Sequence, residues 1–227
     1  MPNIIGDIAG NFDTLMRLLK QMPDDDTISV GDMIDRGPKS RQVLEWFKEN
    51  GKAILGNHEH MMLDAIDEGG FYQRGIWQRN GGTKTLDSFD SCPAPQFIPA
   101  KAEPGLIGWV RSLPLFIKLD GALVSHSFTH AALTLEQACV INEWNDVDGN
   151  ILWNREFPRR RTERKTIGGR VIETPQMQIA GHNSQFGFRR FKDSEGPFAL
   201  CIDSCASGVL TGVHWPSMEV FQERISE

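Results

Sequence analysis

Asp7, Asp32, Asn57, His126 and His182 each close a short apolar run, as in Ile4-Ile5-Gly6-Asp7 and Val124-Ser125-His126. The first three are spaced by 25 residues and by 25 again. Carboxylate, amide and imidazole form a mixed oxygen and nitrogen ligand set suited to divalent first-row metals, and soft thiolates are not part of it. Two carboxylates, an amide and two imidazoles are too many for one catalytic ion that keeps open positions. They suit two ions bridged by a shared aspartate, which implies hydrolytic chemistry. Taken singly, each residue reads as a helix cap or an ordinary histidine, so the joint spacing carries the weight.

The elements that would position these groups follow from the apolar pattern. Residues 3–7 read as a buried strand ending in a Gly-rich turn, and Phe12, Leu15, Met16 and Leu19 give the stripe of a following helix. A second strand over 27–32 leads to Pro38 at the first turn of a helix carrying Val43, Leu44 and Phe47. A third strand over 52–56 precedes a helix with Met61, Met62, Ala65 and Ile66. The first 70 residues therefore read as βαβαβα, with parallel strands whose carboxyl ends line one edge. From 70 to 118 the prolines and Gly81-Gly82 predict loops around short helices, and 142–176 is a long polar stretch. Strands ending at His126 and His182 are expected, then antiparallel strands over 198–203, 209–215 and 218–223. The fold expected is a mixed α/β layered domain spanning residues 1–227 without an internal boundary.

Composition narrows the class. With 40% hydrophobic and 24% charged residues in 227, the chain is neither disordered nor fibrous. The net charge is −6, yet Arg159 to Lys165 holds five cations and one anion, so the remainder is more acidic still. Such acidity argues against a non-specific nucleic-acid binder. No run approaches the ~20 apolar residues of a membrane span, and the amino terminus carries no signal-like stretch, so no membrane partner and a cytoplasmic location are expected. Four cysteines without a CxxC pair are expected to be reduced and mostly buried, with neither redox nor metal roles. His60, His130 and His214 are expected in solvated or capping roles.

Three runs in order, Gly6-Asp7-Ile8-Ala9-Gly10, Gly31-Asp32-Met33-Ile34-Asp35-Arg36-Gly37 and Gly56-Asn57-His58-Glu59, resemble the signatures of the metal-dependent phosphoprotein phosphatases. Trp77 to Gly82, Ser125-His126, Trp153-Asn154-Arg155-Glu156, Gly181-His182 and Ile202-Asp203 extend the match over most of the chain, closest to the short bacterial and bacteriophage lambda type. The resemblance implies a metallo-dependent phosphatase-like fold: mixed sheets forming a central β-sandwich flanked by helices, in one calcineurin-like metallophosphoesterase domain. It implies that Asp7 and Asp32 hold one ion and that Asp32, Asn57, His126 and His182 hold the other, with Mn²⁺ first and Fe or Zn as alternatives. A bridging hydroxide would attack phosphorus, His58 would protonate the departing oxygen, Asp35 would orient His58, and Arg36 and Arg155 would clamp the phosphate. The implied partner is a phosphorylated protein or peptide, and the implied state is a monomer.

One position departs from the resembling family. Where its members carry a metal-ligating histidine, this sequence has Ala9, which predicts a weakened first metal site and reduced activity, whether the substitution is engineered or natural. Two other functions compete with a serine/threonine phosphatase: a symmetrical dinucleoside polyphosphate hydrolase and a non-catalytic phosphoprotein-binding module. The basic run from Arg159 to Lys165, just after Arg155, is expected as a solvated loop, with contact to an acidic peptide as the alternative.

Overall fold

Ile4 and Ile5 are adjacent and both fully buried, but they enter different cores, as the two-residue period of a strand requires. The computed structural model describes residues 1–67, 70–130, 135–139, 150–167 and 170–226, with the side chains of 163–175 outside the description. Strand β1 (Asn3–Ile5) leads to helix α1 (Phe12–Leu19), β2 (Thr27–Ser29) to α2 (Ser40–Asn50), and β3 (Lys52–Ala53) to α3 (Asn57–Asp67). The pairs β1–β2 and β2–β3 are parallel, as the sequence predicts. Pro38 lies ahead of α2 rather than in its first turn; the helix opens at Ser40, whose hydroxyl accepts the Asp35 N–H at 3.0 Å.

Residues 70–118 are more helical than their prolines suggest. Helices α4 (Phe71–Trp77), α5 (Thr83–Ser88), α6 (Ile98–Lys101) and α7 (Leu106–Arg111) follow one another, with a π-helical turn over Gln78–Gly82 between α4 and α5. Strands β4 (Phe116–Leu119) and β5 (Ala122–Ser125) come next, then α8 (Leu135–Ala138). The polar stretch expected over 142–176 contains β6 (Arg161–Ile167) and the start of β7 (Arg170–Ala180), which pair antiparallel; its residues 142–149 lie outside the described set.

The carboxyl-terminal strands β8 (Arg189–Asp193), β9 (Gly196–Cys201), β10 (Val209–His214) and β11 (Glu219–Arg224) divide between two sheets. One has the order β11-β10-β1-β2-β3 and the other β4-β5-β7-β9-β8 with β6 on β7. The antiparallel expectation therefore holds for β10–β11 and for β9 against β8, but β9 also runs parallel to β7. A purely local pattern could not distinguish the two, because β9 is buried on both faces at its end and its partners come from elsewhere in the chain.

Ile4, Ile28, Val30 and Ile54 of the first sheet meet Val124, Ile179, Leu200 and Ile202 of the second, forming the interior of a sandwich. The outer face of the first sheet is covered by α1 and α2 through Leu15, Leu18, Val43, Leu44 and Phe47. These are mixed α/β layers, two mixed sheets flanked by helices, as expected. No helix among the described residues is long and apolar enough to cross a membrane.

Candidate active site

Both sheets present their parallel strand ends on one side. Asp7, Asp32 and Asn57 lie two, three and four residues beyond β1, β2 and β3. His126 directly follows β5, and His182 and Asp203 each lie two residues beyond β7 and β9. All six are buried, none more than 5% exposed. Gly181 is required here by proximity, since a Cβ on it would collide with the Asp7 carboxylate.

Asp32, His126 and His182 each offer a ligand atom within 4.8 Å of the others. His126 Nδ1 lies 2.8 Å from the Val30 carbonyl and so carries its proton there, which leaves Nε2 as a lone pair. That lone pair is 2.9 Å from Asn57 Oδ1 and 3.3 Å from Asp32 Oδ1, and His182 Nδ1 is also 2.9 Å from Asn57 Oδ1. Lone pairs converging in this way are stable only around a proton or a cation, so these residues fit a divalent ion. Electrostatics agrees. Burial alone would raise the Asp32 carboxyl, but positive charge at the facing imidazoles, His126 first, outweighs it and brings the pKa to about 2, a charge that a bound metal ion would supply with the rings neutral. Burial, then the neighbouring His126, holds His182 well below its ordinary value, keeping it neutral as a ligand must be.

Beside this cluster His58 is fixed at both ring nitrogens. Nδ1 is 2.6 Å from Asp35 Oδ2, and Nε2 is 3.1 Å from Arg36 Nη2. Arginine only donates, so Nε2 accepts and the proton sits on Nδ1, donated to Asp35. Burial opposes charging His58, but the carboxylates of Asp32 and Asp35 prevail and raise its pKa. Asp35 is in turn held by Trp77 Nε1 at 2.9 Å and Thr85 Oγ1 at 2.6 Å.

Backbone strain is concentrated here. Of eight non-glycine residues with positive φ among the described residues, five are Ala9, Asp32, Asp35, Arg36 and His182. Such conformations persist only where surrounding bonds over-determine them. Ala9 N–H goes to the Asp32 carbonyl at 2.9 Å, Asp35 N–H to the Ser40 and Thr85 hydroxyls at 3.0 Å, Arg36 N–H to the Gly81 carbonyl at 3.3 Å and His182 N–H to the Asp7 carboxylate at 3.1 Å. The fully buried Glu59 accepts the N–H groups of Asp32 at 2.9 Å, Met33 at 2.8 Å, Ile34 at 3.3 Å and Gly56 at 3.0 Å.

Of the residues singled out in the sequence, Asp7, Asp32, Asp35, Arg36, Asn57, His58, His126 and His182 are brought together. Arg155 is exposed on the loop after Asn154, and its charge is felt at His182. Glu59, Trp77 and Thr85 are positioning groups that sequence reasoning did not single out, although Glu59 and Trp77 stood inside the quoted motifs. The basic run is partly engaged within the chain: Arg160 pairs with Asp193 at 2.5 Å, and Arg161 donates to Thr129 at 2.9 Å. Its residues 163–165 lie among the side chains outside the description. His214 is a correction. Rather than solvated, it is buried at the end of β10, paired with Asn3 of β1 and bridging Asp25 and Ser217 at 3.0 Å each.

A buried oxygen and nitrogen donor cluster at the carboxyl edges of two packed sheets defines a candidate metal-dependent hydrolase centre. The profile of the calcineurin-like phosphoesterases matches residues 3–191, and the chain belongs to that family, whose members use divalent metals. It is 34% identical to serine/threonine-protein phosphatase 1 of Salmonella typhimurium over 160 residues, 67% of this chain and 68% of that protein. It is also 35% identical to the symmetrical bis(5'-nucleosyl)-tetraphosphatase of Vibrio vulnificus over 132 residues, 55% of this chain but only 43% of that protein. Among solved structures, a Saccharomyces cerevisiae protein serine/threonine phosphatase superposes with a TM-score of 0.59 at 17% identity, covering 100% of this chain and 80% of that one. A metallophosphoesterase from Sphaerobacter thermophilus gives 0.56 at 14% identity, covering 99% and 87%. At these identities the structural likeness concerns the fold alone.

Proposed function

We propose that this phosphoesterase is a metal-dependent serine/threonine phosphoprotein phosphatase of the lambda type. The observation that carries the reading is the Asp35–His58–Arg36 arrangement, at 2.6 and 3.1 Å, on the border of the Asp32 cluster. Divalent ions held by Asp7, Asp32, Asn57, His126 and His182 would polarise the phosphoryl oxygens and acidify an attacking water. The chain's own residues divide the remaining work. His58, whose pKa its two carboxylates raise, would take up a proton at Nε2 once Arg36 turns to the phosphate and pass it to the departing serine or threonine oxygen, with Asp35 stabilising the charged ring and fixing its orientation. Arg36 lies on the same Nε2 and would bind the phosphate oxygens, joined by Arg155, whose charge is felt at His182. Ala9 contributes no donor atom, so the Asp7 side lacks an imidazole.

A second reading, symmetrical dinucleoside polyphosphate hydrolysis, is favoured by the identity to the Vibrio vulnificus relative. Phosphate release from a phosphoserine peptide and ADP release from diadenosine tetraphosphate, assayed with the same metal, separate the two. Faster turnover of the peptide is expected. Faster symmetrical cleavage of the dinucleotide would replace the first reading with the second, and peptide binding with neither product would make the chain a non-catalytic binder.

A further inference from the structure

Arg155 is exposed, and among the described residues its guanidinium makes neither a hydrogen bond nor an ion pair. The residue before it is the opposite case. Asn154 is 2% exposed and every polar group it owns is engaged. Its N–H lies 3.1 Å from the Asn150 carbonyl and 3.2 Å from Ser127 Oγ, and its Nδ2 donates to the Phe128 carbonyl at 2.7 Å. Its Oδ1 accepts the Glu156 N–H at 3.1 Å, a side-chain turn that spans Arg155, and its carbonyl accepts Asn183 Nδ2 at 3.2 Å.

These partners come from the strand ends of the two histidines. Ser127 and Phe128 directly follow His126, and Asn183 directly follows His182. Ser127 is fully buried and holds the same loop twice more through the Ile151 carbonyl, from its N–H at 3.0 Å and its Oγ at 2.7 Å. The Trp153 ring stands edge-on to His182 with centroids 6.0 Å apart. Glu156 is spent on His130 at 3.3 Å, which leaves Arg155 as the charged group this loop presents.

Asn183 shows what the arrangement costs. It is fully buried, yet its Oδ1 has no hydrogen-bond partner among the described residues. The Asn154 carbonyl only accepts, so the amide cannot turn over to satisfy its oxygen; its nitrogen must face Asn154. A buried amide with its acceptor unpaired destabilises the fold, and the side-chain bond it keeps is the one that ties the Arg155 loop to the end of the His182 strand.

We propose that Asn183 and Asn154 are positioning residues for Arg155, holding its loop so that the guanidinium reaches a phosphate bound on the histidine side of the site. This rests on the phosphatase reading, in which Arg155 binds phosphate oxygens. Both side chains are neutral amides and act through geometry alone.

The affinity of the protein for inorganic phosphate in saturating Mn²⁺, measured by calorimetry beside kcat/KM on an aryl phosphate, tests this. Arg155→Ala should weaken phosphate binding and lower kcat/KM by about tenfold or more. Asn183→Ala should reproduce most of that loss, about five- to tenfold, with manganese stoichiometry unchanged. Added to Arg155→Ala, it should cost no more than about twofold further, because a residue that acts through Arg155 then has nothing to position. Circular dichroism checks folding, and Asn154→Ala, which reaches Arg155 from the other side, should give the same pattern where Asn183→Ala does not fold. A loss of equal size in both backgrounds, or a change in manganese stoichiometry, overturns the positioning role and leaves the phosphatase reading intact. Unchanged phosphate affinity and kcat/KM in Arg155→Ala overturns the proposal together with the Arg155 clamp. An unaltered protein that neither binds phosphate nor releases it from a phosphoserine peptide overturns both the proposal and the phosphatase reading.

Discussion

His58 is held at both ring nitrogens, and the consequence is a defined tautomer. The Nδ1 proton belongs to the Asp35 bond at 2.6 Å, which leaves Nε2 free to exchange a proton with whatever lies beside Arg36. If His58 serves as general acid, the cost of removing it depends on the leaving group. For His58→Ala, kcat on a phosphoserine peptide should fall by about 10²–10⁴. On an aryl phosphate, whose phenolate needs no proton to depart, the loss should be far smaller, with Asp35→Asn intermediate on both substrates. Equal losses on the two substrates would remove His58 from the acid role. The identities at these positions were legible in the sequence because the motif places Asp, Arg, Asn and His at fixed offsets. The tautomer was not, since it depends on Arg36 meeting His58 across 22 residues of chain.

Helix α3 and the loop after β2 are joined by one side chain. Glu59 lies in the first turn of α3 and accepts four backbone N–H groups, three of them from residues 32–34. Truncating it would strand those donors in the interior at about 1–3 kcal/mol for each that finds no water. Glu59→Ala should therefore lower the unfolding free energy by about 3 kcal/mol or more in denaturant titration, with Glu59→Gln, which keeps an acceptor, losing markedly less. Comparable losses would mean that the charge matters and the loop geometry does not. A weaker element-scale effect concerns β8. The Arg160 hydrogen bond holds Asp193 at about 2 rather than 3.8, so this pair stabilises the fold above the ordinary carboxylate range and the contribution disappears as pH falls toward about 2. Both groups are on the surface, so the effect is small and sensitive to salt. Asp193→Asn should narrow the stability gap between neutral and acid pH, measured by urea titration at each. The π-helical turn at 78–82 belongs to this scale as well. Gly81 adopts a φ of +113° there, and a Cβ would press on Arg36, so the helix break serves the site next to it. Its sequence signal, Gly81-Gly82, predicted only a loop.

The two sheets meet over one apolar interior, and the ligands of the candidate site come from both, so bound metal should couple them. With free metal about 100-fold above its dissociation constant, the folded state gains about 2.7 kcal/mol. For a chain of this length each kcal/mol is worth about 2–4 °C. Chelation should lower the melting temperature by roughly 5–10 °C, reversed on re-addition of metal; an unchanged melting temperature would mean that the folded protein holds no ion. By itself the sequence determined the βαβαβα start and the five donors at strand ends, because both are carried by local periodicity and by offsets within a few tens of residues. The tertiary structure alone decided that β9 leaves the antiparallel run to lie beside β7, and that Asp203 and Cys205 thereby close over Asp7. The contact of Cys205 with Asp7 joins segments 198 residues apart, and burial between distant segments leaves no period in either of them.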